Sequence, residues 1–105
     1  MKVLCLCAGG VSRSVGLAYL LKYYYGHDAL ACSYEHNSPE TIDMLCNWAD
    51  RVLTVMPDYV QYIPEKYHVK TTVYNLGLDR WLNALHPGMH EKLIPMIEAD
   101  PKWKT

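Results

Sequence analysis

The sequence predicts an α/β fold in three layers, with a four-stranded parallel sheet covered by helices on both faces. Three observations carry that expectation. Residues 3–7, Val-Leu-Cys-Leu-Cys, are apolar throughout, as a strand buried on both faces should be. Further β-prone runs follow, each divided from the next by a stretch of helical pattern. Strands that alternate with helices imply crossover connections, and crossovers imply parallel pairing.

Taken in order, residues 13–25 read as the first helix, rich in Leu, Ala and Tyr and ended by Gly26. Some rings of Tyr23-Tyr24-Tyr25 serve packing, because three successive positions point in several directions around a helix. Residues 29–34 are the second strand. Ser38-Pro39-Glu40 then opens a helix with a capping hydroxyl, a proline at the first helical position and an acid in the first turn. Ile42, Leu45, Cys46 and Ala49 recur at helical spacing behind it. Residues 51–56 are the third strand, stopped by Pro57, and 58–63 a short helix with Asp58 as its cap. Residues 69–76 are the fourth strand, β-branched at Val69, Thr71, Thr72 and Val73. A loop over 77–87 leads to a last helix at 88–98, whose pattern Pro95 weakens.

A chain of 105 residues supports one core, so residues 1–105 are read as a single domain. Half of the residues are hydrophobic and a net charge of −1 leaves no basic excess, which argues against nucleic acid as partner. No apolar run reaches the roughly eighteen residues of a membrane span. Met1-Lys2-Val3-Leu4 is too short for a signal peptide, so the expected location is the cytoplasm. There Cys5, Cys7, Cys32 and Cys46 are expected as free thiols, Cys32 and Cys46 within the core and Cys5 and Cys7 on opposite faces of the first strand. The five histidines lack metal-ligand spacing and are read as surface or capping residues.

Ala8-Gly9-Gly10-Val11-Ser12-Arg13-Ser14 follows the first strand at once. A strand, a glycine-bearing loop and a helix N-terminus gather backbone N–H groups and the positive end of a helix dipole at one point, which suits an anion. Five residues separate Cys7 from Arg13, enough for the loop to curl around a tetrahedral oxyanion. The thiol then lies beneath the anion and the guanidinium grips it from the side. In a parallel sheet ligands bind beyond the carboxyl ends of the strands. Cys7 ends the first strand and the 77–87 loop follows the fourth, so the two segments are expected on the same edge.

Cys7 to Ser14 has the C-x5-R-[ST] form of the cysteine-based phosphatases. Placed directly after an N-terminal strand, it resembles the low-molecular-weight protein tyrosine phosphatases and the related arsenate reductases. Asn47-Trp48-Ala49-Asp50-Arg51-Val52-Leu53-Thr54-Val55-Met56 is similar to the same family, and the chain looks like a compact variant of it. The loop spelling, followed by Ala18-Tyr19-Leu20, is also similar to the dual-specificity phosphatases. Those carry their acid upstream of the cysteine, whereas the six residues before Cys7 include no acid. The low-molecular-weight family implies a flavodoxin-like topology and an aspartate in the loop after the fourth strand, where Asp79 stands in Gly77-Leu78-Asp79-Arg80-Trp81. Gly10 occupies a place where that family often has Asn, and Ser12 one where many members have a second cysteine.

The resemblance implies Cys7 as nucleophile, giving a phosphocysteine. The loop amides and Arg13 favour negative charge beside it, and the Ser14 hydroxyl donates to the thiolate. Arg13 offers two parallel N–H donors, which Lys does not. The N–H groups of Ala8, Gly9, Gly10, Val11, Ser12, Arg13 and Ser14 stabilise the transferring phosphoryl group. Asp79 protonates the leaving oxygen and then activates water; Asp58 is the rival acid. This chemistry calls for no metal and no cofactor. The expected substrate is a phosphorylated protein or small phosphomonoester, phosphotyrosine foremost, in a slot walled by Trp81 and by Tyr34 with His36. Arsenate reduction and non-catalytic phosphate binding are the alternatives; the lack of any cysteine after Cys46 disfavours an internal thiol cascade for the former.

Overall fold

A strand that is apolar at every position has to be covered from both sides, and the computed structural model, which describes residues 1–7, 13–74 and 87–103, covers it so. Strand β1 (Lys2–Cys7) is fully buried from Val3 to Cys7. Strands β2 (Asp28–Ser33), β3 (Arg51–Thr54) and β4 (Thr71–Val73) join it in a four-stranded sheet of order β2-β1-β3-β4. Every pairing is parallel. The fold is therefore α/β, with the strand order of a flavodoxin-like layout.

The two-residue repeat of a strand divides β1 between two cores. Val3, Cys5 and Cys7 pack with Leu17, Leu20 and Leu21 of helix α1 (Arg13–Tyr23) and with Leu93 and Ile97 of helix α3 (Pro87–Glu98). Leu4 and Leu6 face the other way, onto Ile42 and Cys46 of helix α2 (Pro39–Trp48) and onto Tyr67. Cys5 and Cys7 thus share a face, contrary to the expectation of opposite ones, because residues two apart on a strand return to the same side.

Helix ends follow their sequence signals. The Ser38 hydroxyl accepts from the Thr41 N–H at 3.2 Å, with Pro39 opening α2. Gly26 takes φ +74°, and the His27 N–H reaches back to the Leu21 carbonyl at 2.9 Å. That bond reaches six residues back, and the left-handed turn just before the donor lets the chain make it, a conformation that suits glycine. Helix α3 runs through Pro95. A proline costs a helix interior about 3 kcal/mol. Full burial of Leu93 and Ile97 returns about 1.5–3 kcal/mol each, so packing wins.

Three expectations require correction. The fourth strand is shorter than 69–76, since Val69 lies in a 3₁₀ segment (Glu65–Lys70) and is 88% exposed. The β4 ladder is set by its short partner β3, with Val52, Leu53 and Thr54 opposite Thr71, Thr72 and Val73. Residues 75 and 76 lie outside the described residues. The helix expected at 58–63 is a 3₁₀ segment (Pro57–Tyr62) preceded by Met56 with no side-chain cap, so Asp58 is an exposed first-turn residue rather than a cap.

The third concerns His27, expected at the surface and found buried. Its Nε2 lies 2.8 Å from the Trp103 carbonyl, and its Nδ1 3.1 Å from the backbone nitrogen of Met1. Trp103, in a 3₁₀ turn (Pro101–Trp103), donates its indole N–H to the Tyr74 hydroxyl at 2.6 Å. Tyr74 in turn donates to an Asp100 carboxylate oxygen at 2.9 Å. Together these bonds tie the end of β4 to the turn that follows α3. Tyr74→Phe removes the hydroxyl that accepts from a buried indole N–H, which costs about 1–3 kcal/mol. Urea unfolding monitored by Trp fluorescence should show a lower midpoint at unchanged slope; an unchanged midpoint would contradict the assignment.

Candidate active site at the carboxyl edge of the sheet

Helix α1 is buried at Ser14, Gly16, Leu17, Ala18, Leu20 and Leu21, and within that set Ser14, Leu17, Ala18 and Leu21 form an i, i+3, i+4, i+7 stripe. Ser14 heads that stripe in the first turn, and Cys7 ends β1 on the face that the stripe covers. Strand and helix therefore aim their side chains at each other. The Cys7 Sγ and Ser14 Oγ lie 3.0 Å apart, both fully buried. A sulfur and a hydroxyl at that distance share one hydrogen bond, in which either group can donate.

Around this pair the backbone is fixed by the parallel register. Cys7 stands opposite Ser33, and the Tyr34 N–H donates to the Cys7 carbonyl at 3.2 Å, one step past the end of β2. The Ser33 hydroxyl accepts from the N–H groups of Glu35 and His36 at 3.1 and 3.2 Å, and Asn37 Nδ2 donates to the Ser33 carbonyl at 2.8 Å. This turn holds the chain where it leaves β2, and His36 is exposed on it.

Tyr34 does not stand alone as a wall. Its ring stacks on Tyr62 with centroids 3.7 Å apart and planes within 5°, and it meets Tyr59 at 5.4 Å and 56°. Tyr34 packs against the α2-side core, Tyr59 against the α1-side core. Their contact therefore bridges the edge of the sheet from one face to the other. Burial above all, then Tyr62, Glu35 and Tyr59, push the Tyr34 phenol above its usual range. Sequence reasoning did not identify Tyr59 and Tyr62 as site residues. Their signal was the three-residue spacing after Pro57: in a 3₁₀ helix side chains at i and i+3 eclipse, whereas an α-helix rotates them apart.

The remaining expected residues divide in two. Arg13 opens α1, with its side chain outside the described set. Ala8, Gly9, Gly10, Val11 and Ser12, the acid expected at Asp79 and the wall expected at Trp81 lie outside the described residues. The structure thus brings together Cys7, Ser14 and Tyr34, and places the first residue of α1 beside them. Asp58 lies in the same 3₁₀ segment as Tyr59 and Tyr62. Among the described residues no three His, Cys, Asp or Glu side chains converge as metal ligands would, and no helix is long and apolar enough to cross a membrane.

Comparison with family models, with curated proteins and with solved structures gives no match in any of the three.

The four cysteines are free and buried, yet they are not equivalent. Desolvation pushes the Cys5 thiol far up, with the neighbouring Cys7 adding to it. Burial raises Cys32, and it raises Cys46 to about 11. A thiol whose pKa is raised is protonated and unreactive below that value. Native protein treated with iodoacetamide at pH 7.5 (roughly the range in which an ordinary thiol begins to react) should leave Cys5, Cys32 and Cys46 unmodified by peptide mass mapping. Cys46 should begin to react only as the pH approaches about 11.

Proposed function

We propose that this chain is a cysteine-dependent phosphatase that hydrolyses phosphomonoesters, phosphotyrosine foremost, in the manner of the low-molecular-weight protein tyrosine phosphatases it resembles. The observation that carries the reading is the buried 3.0 Å contact between Cys7 Sγ and Ser14 Oγ, at the junction of a strand end and a helix N-terminus. A loop of C-x5-R-S form spans that junction. Such a junction concentrates N–H donors and positive potential on an anion, and the sulfur lies at its base.

In the first step the Cys7 sulfur attacks phosphorus in line. The S–P bond forms as the ester P–O bond breaks, and the leaving oxygen takes a proton from Asp79. Ser14 donates to the sulfur, which steadies it before attack and again when it departs. Arg13 and the loop amides bind the equatorial oxygens, where charge develops. In the second step water, deprotonated by Asp79, attacks phosphorus and releases Cys7 and inorganic phosphate. Side chains and water complete the cycle, and the thiols need only stay reduced, which fits a cytoplasmic setting. The partner is a phosphorylated protein or a small phosphomonoester.

The purified protein should hydrolyse p-nitrophenyl phosphate in the presence of EDTA. Cys7→Ser should abolish turnover; retained activity would sink the mechanism. Asp79→Asn should lower kcat by roughly 10²–10⁴, while Asp58→Asn leaves it near wild type. The reverse result would move the acid to Asp58.

A further inference from the structure

We infer that Tyr62 is the residue that selects aromatic phosphomonoesters, as the exposed ring of a three-tyrosine wall; the inference rests on the phosphatase reading of the Cys7 loop. The sequence points to Tyr34 for this role, and the structure redistributes it. Tyr34 is joined to the Cys7 peptide by its own N–H, and its ring is held between neighbours, Tyr62 on one side and Tyr59 across its edge. Tyr62 has one face covered by Tyr34 and still keeps 41% of its surface exposed. Of the two stacked rings, Tyr62 is the one with surface to offer a ligand.

The position of the stack gives it a purpose beyond packing. Tyr34 follows β2 and Tyr62 belongs to the segment that follows β3, and these are the two strands that flank β1. The rings therefore meet at the carboxyl edge that holds Cys7. Burying an exposed tyrosine against a second tyrosine needs no such placement. A phosphoryl group seated on the Cys7 loop carries its ester group outward from that edge. An aryl ester presents a flat ring there, and a flat ring gains by lying on another through offset or edge contact. An alkyl ester has no ring to stack. A wall of this kind leaves phosphate binding unchanged and discriminates by what the phosphate is attached to.

Tyr62 is exposed, so its replacement leaves the cores intact. Steady-state kinetics on phosphotyrosine and on glycerol phosphate should be compared for wild type, Tyr62→Leu and Tyr62→Phe, with inorganic phosphate as competitive inhibitor. Tyr62→Leu should lower kcat/KM for phosphotyrosine roughly three- to tenfold, through KM, the size of one aromatic contact. Glycerol phosphate turnover and phosphate inhibition should not move, and Tyr62→Phe should restore the preference. An equal fall on both esters, or no fall on either, overturns the assignment while leaving the phosphatase reading in place. Failure of the wild-type protein to turn over any phosphomonoester overturns that reading itself.

Discussion

Full burial of β1 is the constraint on which the other elements depend. A strand of Val3, Leu4, Cys5, Leu6 and Cys7 with no exposed position needs neighbours on both edges and layers on both faces. The edges are supplied by β2 and β3, the faces by α1 with α3 and by α2 with the Tyr67 segment. Once these are in place, the end of β1 cannot move relative to the ends of its two neighbours. Cys7, Ser33 and the exit from β3 then form a fixed row. A residue on any of the following segments starts from a position set by the sheet, which is why side chains on short turns can meet there with defined geometry.

The same burial fixes the chemistry of the cysteines. Cys5 and Cys7 lie two residues apart on one face, yet only Cys7 reaches the head of α1 and a hydroxyl partner. Cys5, one pleat deeper, is surrounded by apolar side chains and its thiol is held far from ionisation. Position along the strand, more than residue type, separates a sulfur closed in by apolar side chains from one that meets a hydroxyl.

Much of the architecture was legible in the sequence, because it rests on local and periodic signals. The apolar run of β1, the Ser38-Pro39 start of α2, and Gly26 as terminator each describe an interaction within a few residues. The Cys7–Ser14 pairing was expected from the family resemblance of the loop, and the end of β1 and the first turn of α1 bring the two side chains together. What escaped the sequence was decided between distant segments. Val69 has the propensity of a strand residue, yet β3 offers only three partners and the ladder starts at Thr71. His27 has nothing in its neighbours to bury it; the Trp103 carbonyl, far along the chain, does. The Tyr34–Tyr62 stack joins turns after different strands, and no local pattern encodes such a pairing.

That long-range network also explains how so short an edge strand persists. Three ladder positions are few for a strand at the rim of a sheet, below the usual five or six residues. The ladder is extended by the Tyr74 N–H, which donates to the Thr54 carbonyl at 2.7 Å. The Tyr74 side chain then passes into the α1-side core, where Trp103 and Asp100 hold its hydroxyl. Trp103 is itself 1% exposed and fixed through its carbonyl to His27, which follows α1. So β4 is held both by its backbone bonds and by a tyrosine whose partners come from beyond α3. Tyr74, the last described residue before 75–86, is thus held in the same core as Cys7.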